Sequence, residues 1–236
     1  MRWGLGSRAS LICTVLFVAA SARPAFCQTP TDTTAVDTGE ENSKHIFFII
    51  PNFRTTATLA EYKPIKPSEK FKIAAQDTFD RGTFALAAAF AGESQLNNSD
   101  PSFGQGVKGY AHYYVTSYAD FAVGNYMTEG IYPTLLHQDP RYFRRGKGSV
   151  ITRLGYSAGQ IFFTHGDNGR TQINYSELAG NSTAVAIATA YYPDSRNVSD
   201  AVSQLGTQLG VDMISNILKE FAPDITHAFH HHHDQQ

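Results

Sequence analysis

The chain has 236 residues, a formal net charge of −2, 42% hydrophobic and 12% aromatic residues and only 17% charged ones. That balance argues against nucleic acid as the main partner, because phosphate binding is carried by a basic excess. The low charged fraction fits a globular protein with a surface that meets something less polar than water.

Arg2 and Arg8 followed by the apolar run ASLICTVLFVAASA (residues 9 to 22) read as an export signal. The run breaks at Arg23 and Pro24, short of the roughly 20 apolar residues needed to cross a bilayer. Small residues permit cleavage after Ala22 or after Cys27; the second is preferred, with residues 1–27 as the signal peptide and Gln28 as the mature start. Cys13 and Cys27 are the two cysteines of the chain, so a processed protein has no disulfide and depends on its core.

Residues 28–44 are rich in Thr, Asp and Glu with little to bury, which predicts a disordered spacer. HIFFIIPNF (45 to 53) suits an extended segment laid on the body. Helical periodicity then predicts helices over about 68–78, 80–95 with Asp80 near its cap, 105–136 with a bend near Pro133, 149–163, 174–190 and 198–220, the last ending before Pro223. THGDNGRTQ reads as a tight turn. The expected class is all-α: a single compact bundle of five or six helices over residues 45–225, with a disordered His-rich tail over 226–236. Ala87 with Ala91, Gly155 with Gly159 and Gly206 with Gly210 recur at four-residue spacing, which predicts close helix approaches. No run after the leader reaches 18 uncharged apolar residues, so a surface-bound or soluble protein is expected rather than a polytopic one.

Polar residues at helical spacing mark candidate chemistry. His112, Thr116 and Asp120 share one face; Asn125 and Glu129, Glu177 and Asn181, and Gln204, Gln208 and Asp212 make further pairs and lines. Such groups in an Ala, Gly and aromatic context need buried partners. The first expectation is that they hydrogen-bond between helices. The alternative is a hydrolytic or lipid-modifying site, with Glu129, His137 and Asp139 as catalytic candidates and Arg141 holding developing negative charge. Gly155-Tyr156-Ser157-Ala158-Gly159 has nucleophile-elbow spacing, but no strand precedes it. No cofactor is expected and no metal site: neither a Glu-x-x-His pair nor His-Glu-x-x-His is present. His230, His231, His232 and His233 would bind a divalent ion adventitiously.

TLLHQDPRYFRRGKGS (134 to 149) raises the sharpest question. A structural corner accounts for most of it: Pro140 stops the helix, Arg141, Arg144 and Arg145 face its carbonyl end, and Tyr142 and Phe143 anchor the turn, leaving His137 and Gln138 unexplained. The alternative is binding, with Arg141, Arg144, Arg145 and Lys147 facing phosphate or carboxylate groups such as those of a membrane surface.

Taken together, IPNFRTT, FALAAAFAG, PSFGQGVKGYAHYY, GNYMTEGIYPTLLHQDPRYFRRGKG, NYSELAGN, YYPDSR and LKEFAPDI resemble an uncharacterised group of exported bacterial proteins, a domain of unknown function. The resemblance covers residues 46 to 225 and implies a periplasmic, outer-membrane-associated or secreted setting. It assigns no reaction.

Overall fold

The computed structural model describes the backbone of residues 45–46, 50–51, 55–56 and 62–233, and side chains from 62 to 225. The expected signal peptide and spacer lie outside the described residues, as do the side chains of His230 to His233.

Helix α1 (Pro67–Thr78) starts where expected, with proline in its first turn and the Lys66 amide donating to Glu69 Oε2 at 2.7 Å. Helix α2 (Arg81–Leu96) is capped by Asp80, which accepts from the Gly82 amide at 2.7 Å. After a short 3₁₀ turn comes α3 (Gly106–Asn125), which packs on α2, with Phe84 stacked on Tyr118 and Phe90 edge-on to Phe121, and Ala87 and Ala91 of α2 are fully buried.

The long helix is interrupted before Pro133 by a π turn (Tyr126–Ile131) leading into α4 (Tyr132–Leu135). Pro133 has no N–H to give the carbonyl four residues back. The ladder widens instead, and the Tyr132 amide donates to the Met127 carbonyl five residues away. Helices α5 (Val150–Gly159) and α6 (Tyr175–Ala188) begin on the side-chain caps Ser149 and Asn174.

Two expectations are corrected. The last helix, α7 (Val198–His233), passes through Pro223, so the backbone is helical to His233 where an end before Pro223 and an unstructured tail were expected. The protein is mostly helical but not all-α. Strands β1 (His45–Ile46) and β2 (Ile50–Pro51) form an antiparallel pair, so the described part of the first apolar run is extended as predicted. Strand β3 (Thr55–Thr56) pairs in parallel with β5 (Tyr142–Phe143). Strand β4 (Gln138–Asp139) lies beside β6 (Phe163–Gly166), which forms a hairpin with β7 (Thr171–Ile173). The residues after His137 are therefore part of a sheet, with Asp139 opposite His165. Two-residue strands carry no periodicity of their own, and their partners lie far along the chain.

The predicted glycine contacts are also corrected. A Cβ at Gly155, Gly159 or Gly206 would meet nothing within 4 Å. A close approach between helical elements is at Gly180, where a Cβ would stand 2.8 Å from Thr128 Cγ2 and 3.1 Å from the Met127 carbonyl carbon. Helix α6 thus rests directly on the backbone of the π turn.

Partition of residues is unusual. Alanines fill much of the apolar interior, while Lys70, Gln138, Glu129, Glu220, Asp100 and Asp139 are among the largest fully buried side chains. Leu96, Val107, Ile151 and Val198 lie largely exposed.

Candidate functional site

The polar interior is organised around the Gln138-Asp139-Pro140-Arg141 segment. Alternation along β4 sends the two side chains to opposite faces of the sheet. Gln138 accepts from the Ser176 amide at 2.8 Å and its hydroxyl at 2.7 Å, and donates to the Ile173 carbonyl at 2.7 Å. It holds the start of α6, whose first amides have no partner within the helix.

Asp139 is buried and receives Arg141 Nε at 2.9 Å on Oδ1 and Arg141 Nη2 at 2.6 Å on Oδ2. The Arg141 amide also donates to Oδ1 at 3.0 Å, closing a turn around Pro140. The Tyr62 hydroxyl reaches Asp139 Oδ2 at 3.0 Å and the Gly166 carbonyl at 2.9 Å. The guanidinium lies over the rings of Tyr62 and Phe143, and its Nη2 donates to the Lys63 carbonyl at 2.7 Å. Hydrogen bonding to Asp139 raises the pKa of Arg141. Burial, then the Asp139 charge, pushes the Tyr62 hydroxyl well above the ordinary range. Both groups are fixed in their structural protonation states.

Lys70 anchors the same segment from α1. Its Nζ donates to the Pro133 carbonyl at 3.0 Å, to the Gln138 carbonyl at 2.8 Å, and to both Asp167 oxygens at 2.8 and 2.9 Å. His137 stands at the end of α4 with φ of 52°, the left-handed conformation that closes helices, and its carbonyl accepts from the Asp167 amide at 2.8 Å. Its side chain is 85% exposed, with Nδ1 3.8 Å from Asp167. Of the two residues left unexplained by the sequence, His137 is a helix terminator.

A second hub joins α7 to the loop after β5. Glu220 is 0% exposed and accepts from Tyr142 Oη at 2.8 Å, the Arg145 amide at 3.0 Å, the Gly146 amide at 2.9 Å and Arg153 Nε at 2.9 Å. Arg153 also reaches Asp224 at 2.6 Å and lies over the Phe221 ring, 4.3 Å from its centre. Burial disfavours the Glu220 carboxylate, but the hydrogen bonds from Arg153, Tyr142, Gly146 and Arg145 outweigh it and hold the group below its ordinary pKa.

Other polar lines pair off in part, while Thr116 bonds back to the His112 and Tyr113 carbonyls of its own helix. Asp120 accepts from Tyr191, Tyr192 and Gln204; Asn181 donates to Glu177 and Asp212. His112 stacks edge-on against Phe103.

Among the described residues the catalytic candidates are placed apart. Glu129 is buried in the π turn, His137 points to solvent, and Asp139 is spent on Arg141. Among the binding candidates Arg141 is held internally, Arg144 is half-buried, and Arg145 is exposed with its guanidinium 5.7 Å from the centre of the Tyr156 ring. A cavity of about 20 Å³ lies among Asp139, Arg141, Thr164, Glu177 and Asn216. That space suits a single water rather than an organic substrate, whose pockets run to several hundred Å³. Among the described residues no three His, Cys, Asp or Glu side chains gather to hold a metal.

Lys70, Glu220, Asp167 and Tyr62 were missed in the sequence. Lys70 had a signal: it shares a helical row with Ala74, Asp77 and Thr78, all of them buried. Comparison of the chain with family models, with curated proteins and with solved structures finds no match.

Proposed function

We propose that the protein is exported and works at the cell envelope by binding or by organising structure, without catalysis. One observation carries this reading: the ionisable groups that could do chemistry are engaged in holding elements together. Lys70 joins α1 to the β4 segment and the β6–β7 turn, Asp139 and Arg141 close the turn after β4, and Glu220 with Arg153 ties α7 to α5. A hydrolytic site would need Glu129, His137, Asp139 and Arg141 to converge on one open pocket. They lie instead in the interior, at the surface and in a closed ion pair. The basic, apolar leader supports export.

The test is expression of the native gene in a bacterial host, fractionation, and mass spectrometry of the purified chain, with His137→Ala beside it. A mature N-terminus at Gln28 or Arg23 in an envelope or secreted fraction is expected, with the variant retaining its cellular phenotype at a lowered melting temperature. An intact Met1 leader in the cytoplasm overturns the export reading. Loss of phenotype at unchanged stability overturns the non-catalytic one.

A further inference from the structure

The geometry points to a membrane-docking face, built by the 144–147 loop, α5 and the strand that follows, which takes the surface of a bilayer containing anionic phospholipid. This rests on the envelope reading above and names its partner. From Pro140 to Gly166 the chain has five Arg and Lys residues and no Asp or Glu, in a protein of net charge −2. Two of the five are used inside: Arg141 by Asp139, and Arg153 by Glu220 and Asp224. Among the described residues Arg144, Arg145 and Lys147 have no carboxylate partner, and Arg145 and Lys147 are exposed.

Helix α5, directly after this loop, is turned the wrong way round for water. Its inward row, at four-residue spacing, is Arg153 and Ser157, continued by Ile161 beyond the helix end. Its outward row is Val150, Ile151 and Leu154, with Ile151 82% exposed. Folding in water normally buries the apolar stripe of an amphipathic helix. Here the stripe stays outside because Arg153 is needed inside by Glu220. The chain then emerges as Phe162 and Phe163, both about half exposed, and Phe163 is paired across the hairpin with exposed Ile173.

Cations beside outward aliphatic and aromatic residues are the composition of an interfacial helix, which lies in the headgroup plane and buries its apolar side. Charge complementarity selects anionic lipid. At ten residues α5 lies on a membrane rather than crossing it, and no described helix is long and apolar enough to cross.

The experiment is co-flotation of the purified mature chain with vesicles of phosphatidylcholine alone and of phosphatidylcholine with phosphatidylglycerol, at low and high salt. Three variants are compared: Ile151→Ser, the pair Arg145→Gln and Lys147→Gln, and Val115→Ser as a control elsewhere on the exposed surface. Thermal melts confirm that each is folded. Flotation with the anionic vesicles is expected, weakened by salt, about fivefold weaker per charge removed and about tenfold weaker in Ile151→Ser, with the control unchanged. No flotation of the folded chain overturns the inference. So does equal loss in the Val115→Ser control, or a change of oligomeric state in Ile151→Ser without vesicle binding, which would assign the face to a second copy. Fractionation decides export independently of this result.

Discussion

Glu220→Gln probes the structural hub, because the replacement keeps the shape of the side chain while removing its charge and turning one of its two acceptor oxygens into a donor. In the wild type, four donors at 2.8 to 3.0 Å converge on this carboxylate, and Arg153 is one of them. Breaking a buried ion pair from one side costs about 3–5 kcal/mol. Arg153 keeps Asp224 at 2.6 Å, which puts the expectation at the lower end, about 3 kcal/mol. For a chain of this size that corresponds to a melting point lower by about 6–12 °C. The assay is urea unfolding at neutral pH of the wild type, Glu220→Gln, Arg153→Met and the double variant. The two single costs should fail to add by about 1–3 kcal/mol, since each removes the same contact.

A pH series gives the sign. The folded state holds the Glu220 pKa below its ordinary value of 4.5. Its contribution is therefore complete above 4.5 and is lost as pH falls through the lowered folded value. The gap between wild type and Glu220→Gln should stay constant from neutral pH to about 5 and close in acid. Additive single effects, or a gap that widens on acidification, would refute the assignment of Glu220 as the charged keystone.

Gly180→Ala should cost about 1–3 kcal/mol by overpacking against the π turn, and Thr128→Ser in the same chain should recover only part of it, because the Met127 backbone contact remains; thermal melts decide. His137→Gly should gain about 1 kcal/mol, because glycine escapes the cost of a Cβ in the left-handed conformation, while His137→Ala keeps that cost, loses the tolerance of histidine for this conformation and should fall slightly below wild type; the reverse order in denaturant melts would give the imidazole a role of its own. His165 is buried, and burial lowers its pKa from 6.5 despite the nearby Asp139 charge. Below 6.5 the unfolded chain takes up a proton that the folded chain resists, so stability should fall on acidification from pH 7, and His165→Asn should flatten that slope in unfolding curves taken between pH 7 and 5.

The helices were legible because their signals are local. Asp80, Ser149, Asn174 and Asn197 stand at the starts that the sequence pattern marks, and of the polar lines at four-residue spacing Asp120 meets Gln204 and Asn181 meets Asp212 across helices. The short strands were not legible. Gln138 and Asp139 become strand only because Gly166 and His165 lie beside them, and those pairings span the whole of α5. Pro223 misled for a related reason: one missing backbone bond is a local cost that the packing of α7 on α5 and α6 outweighs.

For the candidate site, residue type and spacing singled out the 137–145 segment but could not say where its charges go. A carboxylate and an arginine two residues apart can face solvent, substrate or each other, and sequence order is the same in all three cases. Tertiary packing made that choice by bringing Lys70, Tyr62 and Glu220 from distant parts of the chain into the interior. Once Arg153 was drawn inward to Glu220, the period of the helix left Val150, Ile151 and Leu154 on the outside, an orientation that hydrophobicity alone would have reversed.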